Sequence, residues 1–199
     1  YLVTDERLLL GKDLYRTVEA AVKGGVSMVQ LREKESSTRE FVERAIRLKE
    51  VLTPYGVPLI INHRVDVALA ADTDGVHVGQ SDMLYEMVKR LLPEGKIIGL
   101  SVESPEQVLE ANNYDLDYVA ASPVFSTTKT NTIVEWGLDG LRWIRSVSRH
   151  PLVAIGGIHS NNVASIFKAG ADSVAVISAI VSADDPERAA RELLEKSGE

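Results

Sequence analysis

Apolar runs and amphipathic stretches alternate along the whole chain. Eight short runs rich in β-branched residues recur, and they read YLVT, SMVQLRE, PLIIN, GVHVG, KIIGLSV, YVAASPV, LVAIGG and SVAVISAI. The stretches between them place apolar residues at helical spacing, as at Leu14, Val18, Ala21 and Val22. Continuous apolar strands that alternate with amphipathic helices are typical of parallel strands covered by helices.

The number of these units predicts a closed (β/α)8 barrel, the TIM barrel, as a single domain over residues 1–199. A doubly wound open sheet is the alternative. Such a sheet normally has a glycine fingerprint after its first strand, and the segment VTDERLLLGKD contains none. Ser104-Pro105 and Asp185-Pro186 predict helix starts between the runs. No proline-rich linker or change of composition suggests a second domain.

Composition restricts the class of protein. The chain is 45% hydrophobic with a formal net charge of -7, so we expect a substantial core and neither nucleic acid nor a membrane as its partner. The absence of cysteine excludes a disulfide framework and a thiolate metal site. No apolar run approaches the roughly 18 residues of a membrane span, and YLVTDERL lacks a signal-peptide pattern. We therefore expect a cytoplasmic protein, and the pattern leaves open whether it forms a homo-oligomer.

Polar side chains close the apolar runs, and these strand ends form the active face of such barrels. A lone polar residue at a strand end is more often a solvated loop residue or a helix cap. The convergence of several on one opening favours a functional site. The candidates are Thr4, Asp5, Gln30, Arg32, Glu33, Lys34, Asn62, His63, Arg64, Gln80, Asp82, Ser101, Glu103, Ser122, Gly156, Gly157 and Ser178.

The segment VQLREK has the chemistry of an anion site. Alternation along a strand sends the side chains of Gln30, Arg32 and Lys34 to one side. It sends those of Leu31 and Glu33 to the other. Two cations and an amide on one face suit a phosphate or a pyrophosphate, because arginine supplies forked donors and lysine a point charge. An ion-pair layer inside the barrel is an equally ordinary explanation of this motif alone.

Two later segments could also hold phosphate. Gly156 and Gly157 close the seventh run, where backbone amides can approach an oxyanion, and a helix start after the eighth run adds donors. A tight turn alone would equally require these glycines, and His159 beyond them is interpreted as a loop residue. The segment SPVFSTTKTNT surrounds Lys129 with hydroxyl groups and resembles an anion clamp, although flexible loops are commonly rich in serine and threonine.

The order of motifs closely resembles that of the thiamine-phosphate synthases, also called thiamine-phosphate pyrophosphorylases. The segments that carry the resemblance are YLVTD, VQLREK, INHRVDVALA, DGVHVGQSD, IIGLSV, SPVFSTTK, GLDGL, VAIGGI and AGADSVAVISAI, and they extend from Tyr1 to about Pro186. The resemblance implies a (β/α)8 barrel that joins hydroxymethylpyrimidine diphosphate to a thiazole phosphate. The products are thiamine phosphate and pyrophosphate, and Mg2+ is the implied cofactor.

The resemblance also implies residue roles. Catalytic contacts to the diphosphate fall on Arg32, Lys34, Ser101 and Lys129. Substrate contacts fall on Gln30, Leu31, Arg32, Glu33, Lys34, Asn62, Ser101, Thr127, Thr128, Lys129, Gly157, Ile177 and Ser178. The magnesium ligands fall on Asp82 and on the position of His63, where members of the family usually carry aspartate.

Two departures from the family pattern change the expectations. His63 replaces a carboxylate ligand by an imidazole, which Mg2+ seldom binds, so we expect a weakened but retained dependence on magnesium. The loop around Ser126 departs from the usual glycine and proline pattern, which leaves the register of Thr127 and Thr128 open by one residue.

Three other functions compete with the synthase. A related thiazole tautomerase shares the barrel but carries a histidine where this chain has Pro123, which cannot transfer a proton. A noncatalytic sensor of thiamine-pathway ligands is conceivable because of the altered metal position. A phosphosugar isomerase would need an acid and a base facing the sugar, and the sequence offers no clear pair.

Overall fold

A computed structural model describes residues 1–125 and 135–198 of the chain. Its eight parallel strands pair in chain order. They are β1 (Leu2–Val3), β2 (Val29–Leu31), β3 (Leu59–Asn62), β4 (Gly75–Val78), β5 (Ile97–Val102), β6 (Tyr118–Ala121), β7 (Leu152–Ile155) and β8 (Ser173–Ala175). The barrel closes just beyond β8, where the Val3 amide donates to the Val176 carbonyl at 2.9 Å and the Val176 amide donates to the Tyr1 carbonyl at 3.0 Å. The predicted (β/α)8 barrel is confirmed.

Helices cover the outside of the barrel. They are α1 (Leu14–Lys23), α2 (Thr38–Leu52), α3 (Val65–Ala70), α4 (Tyr85–Leu91), α5 (Pro105–Ala111), α6 (Gly137–Val147), α7 (Val163–Lys168), α8 (Ser178–Val181) and α9 (Pro186–Ser197). Short 3-10 helices span Glu6–Leu9 and Thr53–Tyr55. Within the described ranges, no helix combines the length and the apolar character that crossing a bilayer requires.

Local sequence signals set the helix boundaries. The Ser104 hydroxyl accepts a hydrogen bond from the Gln107 amide at the start of α5, and Asp185 does the same for Arg188 at the start of α9. Both starts agree with the prediction, because a side-chain oxygen satisfies an amide that has no partner within the helix.

The last apolar run, SVAVISAI, is the main difference between the predicted and observed elements. The strand ends at Ala175, and Ser178 begins the short helix α8, whose Ile180 and Val181 are buried. An apolar run looks the same in a buried strand and in a buried helix turn, so periodicity does not separate the two.

The interior of the barrel is small, and one aromatic ring occupies much of it. Tyr118 points inward from β6 with 3% of its surface exposed and packs against Val3, Ala120 and Val153. Its ring lies over Gly99 of β5, where a Cβ atom would come within 2.1 Å of the Tyr118 Cζ atom. The absence of a side chain at position 99 therefore makes room for the tyrosine.

We expect Gly99→Ala to lower the free energy of unfolding by about 1–3 kcal/mol, because an added methyl group in a packed interior forces the ring or the strand to move. Urea denaturation measures the effect. The matched control is Gly99→Ala in a Tyr118→Ala background, where the ring is gone and the same substitution should cost well under about 1 kcal/mol. Equal costs in both backgrounds would show that the ring is not what restricts position 99.

Candidate active site

Polar strand ends meet at a cavity of about 130 Å3 within the barrel. Four strands, β2 to β5, carry polar side chains in its wall, and residues directly before β1 and after β2 and β6 add the others. Apolar residues of the later strands complete the lining, among them Ile155 of β7 and Ile177 after β8. The polar lining residues are Tyr1, Gln30, Arg32, Asn62, His77, Ser101 and Ser122.

The β2 segment divides its side chains between the cavity and the helices, as strand alternation predicts. Gln30 and Arg32 line the cavity, whereas the Leu31 side chain is fully buried in the outer core. Lys34 lies beside Arg32 in an adjoining pocket of about 400 Å3. The Glu33 carboxylate is buried and accepts a hydrogen bond from Arg44 of α2 at 2.8 Å. The Leu31 side chain therefore faces the helices, whereas Glu33 pairs with α2 and also borders the pocket that Lys34 lines.

Arg32 is held in place by an ion pair. Its Nη1 atom lies 2.9 Å from Oδ2 of Asp5, at the end of β1, and both side chains are largely buried. Its backbone amide donates to the Thr4 hydroxyl at 3.1 Å. These contacts fix the guanidinium at the rim of the cavity, which limits the rotamer freedom that substrate binding would otherwise remove.

The ends of β3 and β4 bring together Asn62, His63 and Asp82. His63 has a left-handed backbone with φ of 53°, and its Nδ1 atom lies 3.2 Å from the Asn62 Oδ1 atom. The Asp82 carboxylate accepts a hydrogen bond from the Gly79 amide at 2.7 Å. Burial lowers the pKa of His63, while the charge of Asp82 opposes that shift. Among residues 1–125 and 135–198, no three His, Asp or Glu side chains are grouped as metal ligands.

A chain of hydrogen bonds crosses the barrel interior from β2 to β5. The Gln30 Nε2 atom donates to the Tyr1 hydroxyl at 2.6 Å, which lies 2.8 Å from the Tyr118 hydroxyl. The Tyr118 hydroxyl lies 3.0 Å from His77 Nδ1, and His77 Nε2 lies 2.8 Å from Ser101 Oγ. Sequence reasoning missed Tyr1, Tyr118 and His77. The available signals were the tyrosine that begins YLVT, the histidine within GVHVG and the tyrosine that begins YVAAS.

The loops after β7 and β8 adjoin the same cavity. Gly156 and Gly157 have φ of 108° and 66°, the left-handed region that favours glycine. The Asn162 side chain donates to the Gly157 carbonyl at 2.8 Å, which holds this loop against α7. Ile177 lines the cavity, and Ser178 begins α8. A short helix after the eighth strand is a common phosphate site in these barrels.

Two groups of candidates lie elsewhere. His159 is exposed, and its ring forms hydrogen bonds with the neighbouring residues Asn161 and Asn162, as expected of a loop residue. The predicted hydroxyl-rich clamp falls within residues 126–134, outside the described residues. It comprises Ser126, Thr127, Thr128, Lys129 and Thr130.

Fold and site together define a class of protein. Cationic, amide and hydroxyl donors collect at the carboxyl ends of parallel barrel strands, and a glycine loop and a short helix start adjoin them. This arrangement is that of a (β/α)8-barrel enzyme that handles phosphorylated small molecules.

Comparison with known proteins identifies the family. The family model described as thiamine monophosphate synthase matches residues 1–180. The thiamine-phosphate synthase of Albidiferax ferrireducens is 51% identical over 94% of this chain and 85% of its own length. That of Leptospira biflexa is 50% identical over 95% of this chain and 92% of its own. The chain belongs to the thiamine monophosphate synthase family.

Solved structures agree with that assignment. The thiamine phosphate pyrophosphorylase from Pyrococcus furiosus superposes with a TM-score of 0.91 at 40% sequence identity, covering 100% of this chain and 94% of its own. The orotidine 5'-phosphate decarboxylase from Pyrococcus horikoshii superposes with a TM-score of 0.71 at 17% identity over 100% of both chains, a likeness that shows the fold alone.

The buried imidazole of His77 predicts a pH-dependent stability. Burial lowers the pKa of His77 from its usual 6.5 to about 4. Between these values the unfolded chain binds a proton that the folded protein does not. The contribution of His77 is therefore complete above about pH 6.5 and is lost as the pH falls towards 4, by up to about 3 kcal/mol.

Urea denaturation of the wild type and of His77→Gln at about pH 7 and about pH 4.5 tests this expectation. The loss of unfolding free energy on acidification should be smaller in His77→Gln than in the wild type. His159→Gln removes an exposed imidazole, and its loss of unfolding free energy on acidification should equal that of the wild type. Equal losses in all three proteins would contradict a neutral buried His77.

Proposed function

We propose that this protein catalyses the reaction of its family in the described cavity, joining a hydroxymethylpyrimidine diphosphate to a thiazole phosphate to give thiamine phosphate and pyrophosphate. The observation that carries the proposal is the meeting of Gln30, Arg32, Asn62 and Ser101 at one barrel mouth, in a chain 51% identical to a thiamine-phosphate synthase. Phosphorylated substrates do not cross membranes unaided, so we place the enzyme in the cytoplasm, where such intermediates are made.

The bond changes need little acid or base catalysis. The bond between the pyrimidine methylene carbon and the diphosphate oxygen breaks, and its electron pair leaves with pyrophosphate. The thiazole nitrogen then gives its lone pair to the methylene carbon. Because that nitrogen has no proton to lose, the enzyme must mainly position two substrates and stabilise a highly charged leaving group. A site with cationic, amide and hydroxyl donors on several strands suits this chemistry.

Arg32 and Lys34 are the proposed partners of the diphosphate. The pair with Asp5 orients the Arg32 guanidinium before substrate arrives, and Lys34 adds a second cation from the adjoining pocket. Gln30, Asn62 and Ser101 face the same cavity and can bind the pyrimidine or the inner phosphate. Lys129, with Thr127 and Thr128, remains a proposed contact to the phosphates by resemblance.

The second substrate would bind at the opposite wall. The Gly157 backbone and the region of Ile177 and Ser178 are the proposed site of the thiazole phosphate. Left-handed glycines let a phosphate approach the backbone closely, and the first amides of α8 point out of the helix. In this proposal the two phosphate groups bind on different sides of the cavity, with the reacting atoms between them.

The residues present fit a magnesium ion that is held largely by the substrate. Asp82 supplies a carboxylate, and Mg2+ commonly combines one or two carboxylates with waters and substrate phosphates. His63 lies close enough for its pKa to respond to the Asp82 charge, where its imidazole can hydrogen-bond a phosphate oxygen or a water. When bound, the ion would supply positive charge to the departing diphosphate.

Release of pyrophosphate on mixing both substrates tests the function directly. Arg32→Gln should lower kcat/KM by about 100-fold, because it removes a charged donor aimed at the leaving group. The control is Arg145→Gln, which breaks an exposed pair with Asp172 before β8, away from the strand ends, and should leave the rate unchanged. Tight binding of either substrate without pyrophosphate release would favour a sensor over an enzyme.

The metal position gives a second test. The Mg2+ concentration that gives half-maximal activity should be about tenfold lower for His63→Asp than for the wild type, because a carboxylate replaces an imidazole near a hard cation. Aspartate also tolerates the left-handed backbone at this position. Asn113→Asp adds a carboxylate at an exposed position after α5, away from the carboxyl ends of the strands, and should not change the Mg2+ curve. Identical curves for wild type and His63→Asp would contradict a metal role for this position.

A further inference from the structure

We propose that Tyr1, Tyr118 and His77 are positioning residues that orient the Ser101 hydroxyl, so that its proton is donated into the substrate cavity. The inference rests on the proposed function in one respect, namely that Ser101 contacts the pyrimidine diphosphate. None of the three residues was among the sequence candidates. They matter because a hydroxyl can present either a proton or a lone pair to a substrate, and only one of these suits an anion.

Gln30 sets the direction in which the hydrogen bonds of this chain are donated. The amide nitrogen of Gln30 lies 2.6 Å from the Tyr1 hydroxyl and can only donate, so the Tyr1 oxygen accepts. The proton of Tyr1 then needs an acceptor of its own. Among the described residues, the other partner of this hydroxyl is the Tyr118 hydroxyl at 2.8 Å. Tyr1 therefore donates to Tyr118.

The same reasoning carries through the histidine. Tyr118 accepts from Tyr1, so it donates its own proton to His77 Nδ1 at 3.0 Å. Burial lowers the pKa of His77, so its imidazole is neutral at physiological pH and carries a single N–H group. Because Nδ1 accepts, that group is Nε2–H, and it donates to Ser101 Oγ at 2.8 Å.

Ser101 is where the chain reaches the substrate cavity. Its oxygen accepts from His77, so its own proton remains to be donated to another acceptor in the cavity that Ser101 lines. A phosphate oxygen or a ring nitrogen of the pyrimidine is an acceptor of the required kind. If the hydrogen bonds ran in the opposite direction, Ser101 would donate its proton to His77. Its oxygen would then present only lone pairs to the cavity, and these repel an anion.

Ring packing holds the members of the hydrogen-bond chain in place. The rings of His77 and Tyr118 stack with centroids 5.5 Å apart and planes inclined by 15°, and Tyr1 meets Tyr118 edge-on at 5.8 Å. The room for Tyr118 comes from Gly99, as described above. Within the described residues, no buried side-chain nitrogen or oxygen lacks a hydrogen-bond partner. Displacement of any one of the three side chains would break two hydrogen bonds at once.

Nitrogen NMR of the histidine rings in the intact, substrate-free protein measures the tautomer of His77 without reference to activity. The expected result at neutral pH is a protonated Nε2 and an unprotonated Nδ1. A His77 that is protonated at Nδ1, or at both nitrogens, would overturn the proposal whatever the enzyme does. His77→Gln identifies the resonances.

Activity measurements then test the effect on Ser101. Tyr118→Phe should lower kcat about tenfold with little change in the KM of either substrate, because Ser101 stays in place but loses its orientation. In that background Ser101→Ala should cost much less than in the wild type, since the two residues act as one unit. Tyr114→Phe removes a surface hydroxyl bonded to Glu110 and serves as the control.

The outcomes separate this proposal from the function on which it rests. Pyrophosphate release together with additive effects of Tyr118→Phe and Ser101→Ala would overturn the orienting role and leave the synthase function intact. If the wild type released no pyrophosphate, the proposed synthase function would be overturned. The His77 tautomer would still report the direction of the hydrogen-bond chain.

Discussion

Closure between the first and last strands is the constraint on which the site depends. Hydrogen bonds of Val176 with Tyr1 and Val3 join the two edges of the sheet, so every strand end must point towards one opening. Gln30, Ser101 and Ile177 are far apart in sequence but share a cavity for this reason. An open sheet with the same strands would spread these side chains along an edge. A site built from one or two residues per strand therefore requires a closed barrel.

A polar barrel interior has an energetic cost that the hydrogen-bond chain offsets. Hydroxyl, amide and imidazole groups lose water when the barrel forms, and an unpaired buried group costs on the order of 1–3 kcal/mol. The chain from Gln30 to Ser101 pairs each of them, and all of its members are uncharged. Tyr118 belongs both to this chain and to the small inner apolar cluster. Stability and orientation of the site thus depend on the same few side chains.

The charges of the site contrast with those of the whole molecule. The chain carries a net charge of -7, yet Arg32 and Lys34 adjoin the cavity, and the buried Glu33 carboxylate turns outward to Arg44. The division begins within β2, where alternation points Gln30 into the cavity and Leu31 into the outer core. Local donors can then hold a diphosphate despite the overall charge. The pairing of Arg32 with Asp5 keeps that donor ordered without substrate.

The sequence by itself determined the repeating strand and helix pattern, the helix caps at Ser104 and Asp185, and the side of β2 on which Gln30 and Arg32 lie. These follow from periods of 2 and 3.6 residues and from local hydrogen bonds, which act over a few positions. Its motifs also identified the family. Only the tertiary structure decided that SVAVISAI bends from a strand into α8, and that Tyr1, Tyr118 and His77 link Gln30 to Ser101. Tyr1 and Tyr118 are 117 positions apart, and no local pattern encodes a contact that exists only because the barrel closes.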